Sequence, residues 1–301
     1  MRRFWVIVAV LVLVAGGLGL YWKLRPAAPL SRTMQKGLDR ALSLRPSMPQ
    51  RGICARYGAP ATHPENTLPG FLNAAKVGAH LIKFSVLPTK DGHLVAMRPL
   101  EVDYTTDGKG KVAELTLAEI KRLDAGGRMD PSFAGTRVPT LEEILEAVPV
   151  NMWVVVDTAG GPDIGRQIAQ IAVERDRVHQ VILGCRRVAA EAARQVAPDI
   201  KICYLDAQRN SWEYVNGAIA FGADMLQLHG PLGESLKPFI EAAKEAGLKV
   251  FFLGANRPEE AQQAFDLGID YVVTFDAATL VSAAAAWGIE PLDPIWRQQQ
   301  P

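Results

Sequence analysis

From residue 50 onward this chain repeats one pattern eight times. A short run of β-branched and apolar residues is followed by a segment rich in Ala, Leu and Glu with helical spacing. The pattern predicts strands over 52–56, 81–87, 152–157, 181–185, 200–205, 225–228, 250–253 and 271–274. Helices are expected over 67–77, from 140 onward, and over 164–173, 188–196, 212–220, 236–246, 259–265 and 277–286. Strands this apolar are buried on both faces, which favours parallel pairing. Eight βα units in roughly 240 residues fit a (β/α)8 (TIM) barrel. An open doubly wound sheet is the alternative, but its glycine-rich nucleotide fingerprint is absent.

Details of the pattern support the barrel. A return strand over 93–98 and an excursion over 104–138 make a small insertion after the second strand, with turns at Asp107-Gly108 and Gly126-Gly127. Pro139-Thr140 with Glu143 reads as a helix start. Gly247 and Gly268 each sit between a helix end and the next strand, so capping alone accounts for them.

The N-terminus obeys a different rule. Arg2 and Arg3 precede an uncharged run over 4–22, roughly the 20 residues a helix needs to cross a bilayer core. Tyr21 and Trp22 sit where an interfacial aromatic belt would lie. Ala15-Gly16-Gly17 is a weak cleavage site, so the run reads as an uncleaved anchor. The short basic N-terminus favours an extracytoplasmic barrel, although Lys23, Arg25, Arg32, Lys36, Arg40 and Arg45 pull the other way. The expected division is an anchor over 1–25, a linker with a short helix over 26–49, a barrel over 50–288 and a tail over 289–301.

Net charge is +1, which gives no case for nucleic-acid binding. Cys54, Cys185 and Cys203 lack metal-ligand spacing and read as buried apolar side chains. Cys185 and Cys203 would pair only if neighbouring strands brought them together.

Several segments resemble the glycerophosphodiester phosphodiesterase family. They are Pro64-Glu65-Asn66-Thr67-Leu68, Thr89-Lys90-Asp91-Gly92, Thr105-Thr106-Asp107-Gly108-Lys109-Gly110, Pro139-Thr140-Leu141-Glu142-Glu143, and the two strand-leading segments 246–250 and 268–274. The resemblance covers about residues 50 to 286. It implies a barrel with the chemistry of phosphodiester hydrolysis. A His-Arg-Gly ends the first strand, a Glu-x-Asp on the second binds a divalent metal, a His-Asp follows the return strand, and a Glu-x-Lys lies on the third. Oxygen ligands hold the cation, the cation polarises the phosphate, and two imidazoles move protons.

This chain departs from that pattern at the reacting positions. The two catalytic histidines fall on Ala55 and Arg98, while Arg56 is kept and the glycine is Tyr57. The metal pair falls on Lys83 and Ser85, and the third strand offers only Asp157. The tryptophan usual near the end of the seventh strand is replaced around Leu253-Gly254. His63 and His93 lie near the right loops and read as loop histidines.

The replacements are cationic. Arg56, Lys83 and Arg98, with Asp157, are expected to form a rim pocket that holds phosphate without a metal. The expectation is a membrane-anchored, catalytically silent relative that takes a phosphorylated small molecule or lipid headgroup. Two alternatives stand beside it: an active phosphoric diester hydrolase with a rearranged site, and a structural partner in a membrane complex. Local pairing is the bland reading, with Lys83 and Arg98 meeting Asp157, Glu65 or Asp103, and Arg56 meeting Glu65. Asn66 is expected to cap the first helix, and Trp212 and Tyr214 to pack helices.

Overall fold

The computed structural model describes residues 47–297. The expected anchor over 4–22 and the expected linker helix over 34–44 lie outside the described residues. Among the described residues no helix is long and apolar enough to cross a membrane.

The strands are β1 (Gly52–Arg56), β2 (Leu81–Pro88), β3 (Leu94–Ala96), β4 (Trp153–Asp157), β5 (Val181–Cys185), β6 (Lys201–Tyr204), β7 (Met225–His229), β8 (Lys249–Leu253) and β9 (Tyr271–Thr274). Their order is β1-β9-β8-β7-β6-β5-β4-β2-β3, and β1 also pairs with β2. The parallel strands therefore close into an eight-stranded barrel. β3 stands apart as an antiparallel return on the end of β2, with Val86 opposite Ala96. The helices are α1 (Leu68–Lys76), α2 (Leu117–Ile120), α3 (Leu141–Ala147), α4 (Pro162–Glu174), α5 (Arg187–Val196), α6 (Trp212–Phe221), α7 (Lys237–Glu245), α8 (Pro258–Asp266) and α9 (Ala277–Ala284). α2 belongs to the insertion, and each of the others follows a barrel strand.

Alternation along the strands sorts side chains into two cores. Ile53, Ile82, Val154, Leu183, Ile202 and Val272 face the helices. Cys54, Leu81, Trp153, Ile182, Met225 and Phe251 fill the barrel. The same alternation settles the cysteines. Cys185 packs in the helix-facing core and Cys203 inside the barrel, so adjacent strands do not bring them together, and all three thiols are free and buried. A third cluster, with Val102, Val112, Ile120 and Val138, holds the insertion against the hairpin.

Helix starts follow local chemistry. Thr140 Oγ1 accepts from Glu143 N, and Glu143 Oε2 accepts from Thr140 N at 2.9 Å, closing the expected cap of α3. The expected cap of α1 moves by one residue. Thr67 Oγ1 accepts from Gly70 N at 3.3 Å, whereas Asn66 takes left-handed backbone at φ 57 and turns the chain out of the rim loop.

The face opposite the strand C-termini is closed by both ends of the described chain. Met48 packs beneath the inner core, and the Tyr271 hydroxyl donates to Pro49 O. Asp270 accepts from Lys244 and Lys249, each at 3.0 Å, and from Val250 N at 2.8 Å. Asn151 Nδ2 donates to Asp293 O at 2.7 Å, and Asn151 Oδ1 accepts from Ile295 N at 2.8 Å, which straps the C-terminal segment across this face. Gly78 is required there, because an added Cβ would lie 2.6 Å from Pro291 Cβ.

His80 joins the strap to the barrel. Ile53 N donates to its Nδ1 at 3.2 Å, so the proton on Nε2 goes to Glu290 O at 2.9 Å. Burial lowers its pKa below the ordinary 6.5, and the Glu290 carbonyl offsets this only in part. The folded state therefore binds the proton less readily than the unfolded chain. This contribution to stability is full above pH 6.5 and is lost as the pH falls below it. Chemical denaturation between pH 7.5 and 5 is expected to show this loss, and His80→Gln to flatten the pH dependence over that window.

Candidate functional site

Lys83 lies on β2 with its side chain inside the barrel, only 4 % exposed. The expected rim position is therefore corrected. Strand register explains the shift, because Lys83 pairs with Arg56 on β1 and Val155 on β4, two residues below the level of Ser85 and Asp157. Its ammonium donates to Asp157 Oδ1 at 2.5 Å. Burial pulls the lysine down, but the Asp157 carboxylate outweighs it, so Lys83 is held above the ordinary lysine range. Gly184, opposite Asp157 on β5, makes the room: an added Cβ would sit 2.1 Å from Asp157 Oδ1. Cys203, deep in the same core, is pushed up to about 12 by burial and stays a thiol at neutral pH.

Arg56 and Arg98 are organised by Tyr57, which directly follows Arg56 at the end of β1. Tyr57 holds left-handed backbone at φ 58, a conformation that glycine takes without penalty. Here the ring keeps a tyrosine in place. Arg56 Cζ lies 4.9 Å from its centroid and 4.8 Å from that of Phe275. Arg98 Cζ lies 5.7 Å from the Tyr57 ring, and Arg98 Nη1 donates to the Tyr57 hydroxyl at 2.7 Å. Among the described residues neither arginine has a carboxylate within ion-pair distance, 4.0 Å. Glu65 lies close enough to feel them. Burial raises its carboxyl pKa, and Arg98 and then Arg56 pull it down.

A cavity of about 410 Å³ opens at the strand C-termini. Ser85, Asp157 and Thr158 form its polar side, Arg98 and Arg186 its charge, and Leu87, Leu100 and Leu205 its apolar wall. Of the four residues expected to hold phosphate, Arg98 and Asp157 line this cavity; Arg56 and Lys83 do not. Arg186 was missed by the sequence reading. It directly follows β5, where a cation after an apolar barrel strand marks a rim residue.

The other candidates resolve locally. His63 Nδ1 bonds the Thr62 hydroxyl at 2.9 Å and its ring lies against Phe133. His93 caps no site and its backbone N–H donates to Thr89. Tyr214 is buried, and its hydroxyl bridges Tyr204 O and Gln227 N. Trp212 packs on Phe239.

A divalent cation does not suit these donors. At Lys83 and Ser85, where the resemblance implies a metal pair, stand an ammonium and a hydroxyl, and Lys83 donates to the nearby carboxylate of Asp157. Among the described residues no three His, Cys, Asp or Glu side chains cluster as a metal site.

The ion pair has a measurable signature. Removing Asp157 strands a buried ammonium, a loss of about 3–5 kcal/mol, whereas replacing both partners with apolar residues is near neutral. In urea denaturation, Asp157→Leu is expected to be much less stable than Lys83→Met/Asp157→Leu. Equal stability of the two would show that the pair is not the structural contact described.

The fold and sequence have clear relatives. The model of the glycerophosphoryl diester phosphodiesterase family matches residues 57–278. A glycerophosphodiester phosphodiesterase of Caldanaerobacter subterraneus subsp. tengcongensis is 30% identical over 244 residues, 78% of this chain and 98% of the relative. A putative glycerophosphodiester phosphodiesterase of Bacillus subtilis is 27% identical over 229 residues, 74% of this chain and 93% of the relative. Among solved structures, an Oleispira antarctica phosphodiesterase in complex with the product sn-glycerol-3-phosphate superposes with a TM-score of 0.66 at 22% identity, covering 79% of this chain and 97% of that one. An Agrobacterium tumefaciens glycerophosphodiester phosphodiesterase gives a TM-score of 0.66 at 23% identity, covering 78% and 99%. With its (β/α)8 barrel and its rim loops in family order, the chain belongs to the glycerophosphoryl diester phosphodiesterase family.

Proposed function

We propose that this protein is a membrane-tethered family member that binds a phosphorylated small molecule at the barrel mouth and does not hydrolyse it. The observation that carries the reading is the Lys83–Asp157 ion pair at the family's metal position. Hydrolysis of a phosphodiester needs an electrophile on the phosphate and groups that move protons near neutral pH. Ala55 packs in the helix-facing core and brings no acid or base to the mouth, and the side chain at Arg98 is a guanidinium, a group poorly suited to shuttling protons. A rearranged hydrolase would need Asp157 as base, yet Lys83 holds that carboxylate at 2.5 Å.

Binding asks for less. Arg98 and Arg186 line the cavity together with the hydroxyl residues Thr158 and Ser85, and guanidinium and hydroxyl donors suit phosphate oxygens. Arg56 adds positive potential from behind Tyr57, and the Lys83–Asp157 pair makes the floor neutral. The uncharged run over 4–22 supports the tether, and the short basic N-terminus favours a barrel outside the cytoplasm.

The test uses the full chain in phosphatidylcholine nanodiscs. Thermal unfolding is followed with sn-glycerol-3-phosphate, inorganic phosphate, magnesium and calcium, alongside turnover of glycerophosphocholine. Phosphate compounds are expected to raise Tm, corresponding to about 2.7 kcal/mol at a hundredfold excess over Kd, with no turnover in either metal. Arg98→Gln and Arg186→Gln each remove charge-assisted bonds, a loss of about 1.5–3 kcal/mol in binding. Metal-dependent hydrolysis would overturn the reading in favour of an active enzyme. A protein indifferent to every phosphate compound would point to a structural partner.

A further inference from the structure

We propose that the closed face of the barrel, opposite the mouth, holds a small monovalent anion of chloride size on the guanidinium of Arg177. This site is independent of the phosphate reading at the mouth. Arg177 lies between α4 and β5, only 1 % exposed. Its Nη1 donates to Gln180 Oε1 at 2.7 Å, and the Gln180 amide is itself engaged by Pro149 O and Met152 O. Nε and Nη2 are buried and have no hydrogen-bond partner. These two nitrogens carry their N–H groups along one edge of the guanidinium, the fork that grips an anion. A buried cation without a counter-charge is strongly destabilising, and a buried donor left unsatisfied in a folded protein calls for a bound ion or water.

The neighbours add positive charge. Arg175, just after α4, and Arg297, on the C-terminal segment, both reach one oxygen, Glu146 Oε2, at 3.5 and 3.9 Å. Burial and then Arg297 hold the Arg177 guanidinium below the ordinary arginine range, against the pull of Glu146 and Asp176. Three guanidiniums therefore gather around two acids, an excess of one positive charge. One monovalent anion on the free edge of Arg177 neutralises it. A divalent oxyanion fits less well, because an ion this enclosed sheds its water and the loss grows with its charge. The three arginines come from the end of α4, the turn into β5 and the segment that Val150 and Asn151 bind through the backbone of Ile295. An anion among them fastens the C-terminal strap to the barrel.

Bromide tests the site directly. Crystals of the full chain are grown with bromide as the sole halide and measured by anomalous diffraction at the bromine edge. A bromine peak within hydrogen-bonding reach of both Nε and Nη2 of Arg177 is the expected result. Water on that edge, or Glu146 turned inward onto it, with no bromine signal, would overturn the proposal. Peaks confined to exposed arginines or to the mouth would mark an adventitious ion only and overturn it equally. In solution, the full chain in phosphatidylcholine nanodiscs is taken from gluconate to chloride at constant ionic strength. Above Kd, Tm is expected to rise by about 3–5 °C for each tenfold increase in chloride. Arg98→Gln, which alters the mouth, is expected to keep this rise, and Arg177→Met to lose it. Equal Tm in chloride and gluconate, or a rise that Arg177→Met retains, would contradict the site. If Arg177→Met does not fold, the bromine map decides alone.

Discussion

Bringing an ammonium from water into the interior of a parallel barrel costs several kcal/mol unless an anion meets it there. In this chain Asp157 meets Lys83, and the surroundings are shaped to let it do so. Gly184 leaves the carboxylate its space. Cys54 and Cys203, the small neighbours inside the barrel, are neutral thiols held protonated by burial. The pair shapes the barrel mouth: it engages Asp157, the one acid of the third barrel strand, and leaves a paired ammonium and carboxylate as its floor.

Above that floor the rim is held by aromatic faces. A left-handed tyrosine is an unusual solution, because the same turn is open to glycine without steric conflict. Tyr57 keeps the turn by lying against Arg56 and Arg98 and accepting a hydrogen bond from Arg98. Tyr57, just after β1, thereby holds together Arg56 from the end of β1 and Arg98 from the segment after β3. Charge of this kind without an ion-pair partner attracts anions.

The fold was legible because each part of it is written in local grammar. Three barrel strands, Gly52–Arg56, Val181–Cys185 and Tyr271–Thr274, fall where periodicity places them, and the others shift by one residue at one end or, for β6, at both. Caps were readable where a threonine and a glutamate stand three apart, as at Thr140 and Glu143. The site was less legible, for reasons of depth and distance. Sequence places Lys83 on a strand but does not say at which layer of the barrel it stands, and register alone puts it below the rim. The bland reading, in which Lys83 meets Asp157, was the one the packing selects. Arg186 belongs to no family motif, and it enters the site because β5 lies two strands from β2 in the barrel, with only β4 between them. Asn66 gave way to Thr67 as a cap because the rim loop needs a left-handed residue just before α1.

The claim on which the account turns is that the barrel mouth takes a phosphate and not a metal. Anomalous diffraction from crystals of the protein grown with manganese and sn-glycerol-3-phosphate tests it most directly. The account predicts phosphate density between Arg98 and Arg186, the Lys83–Asp157 pair intact, and no manganese signal beside Ser85. A manganese ion bound by Asp157, with Lys83 displaced from it, would contradict the account.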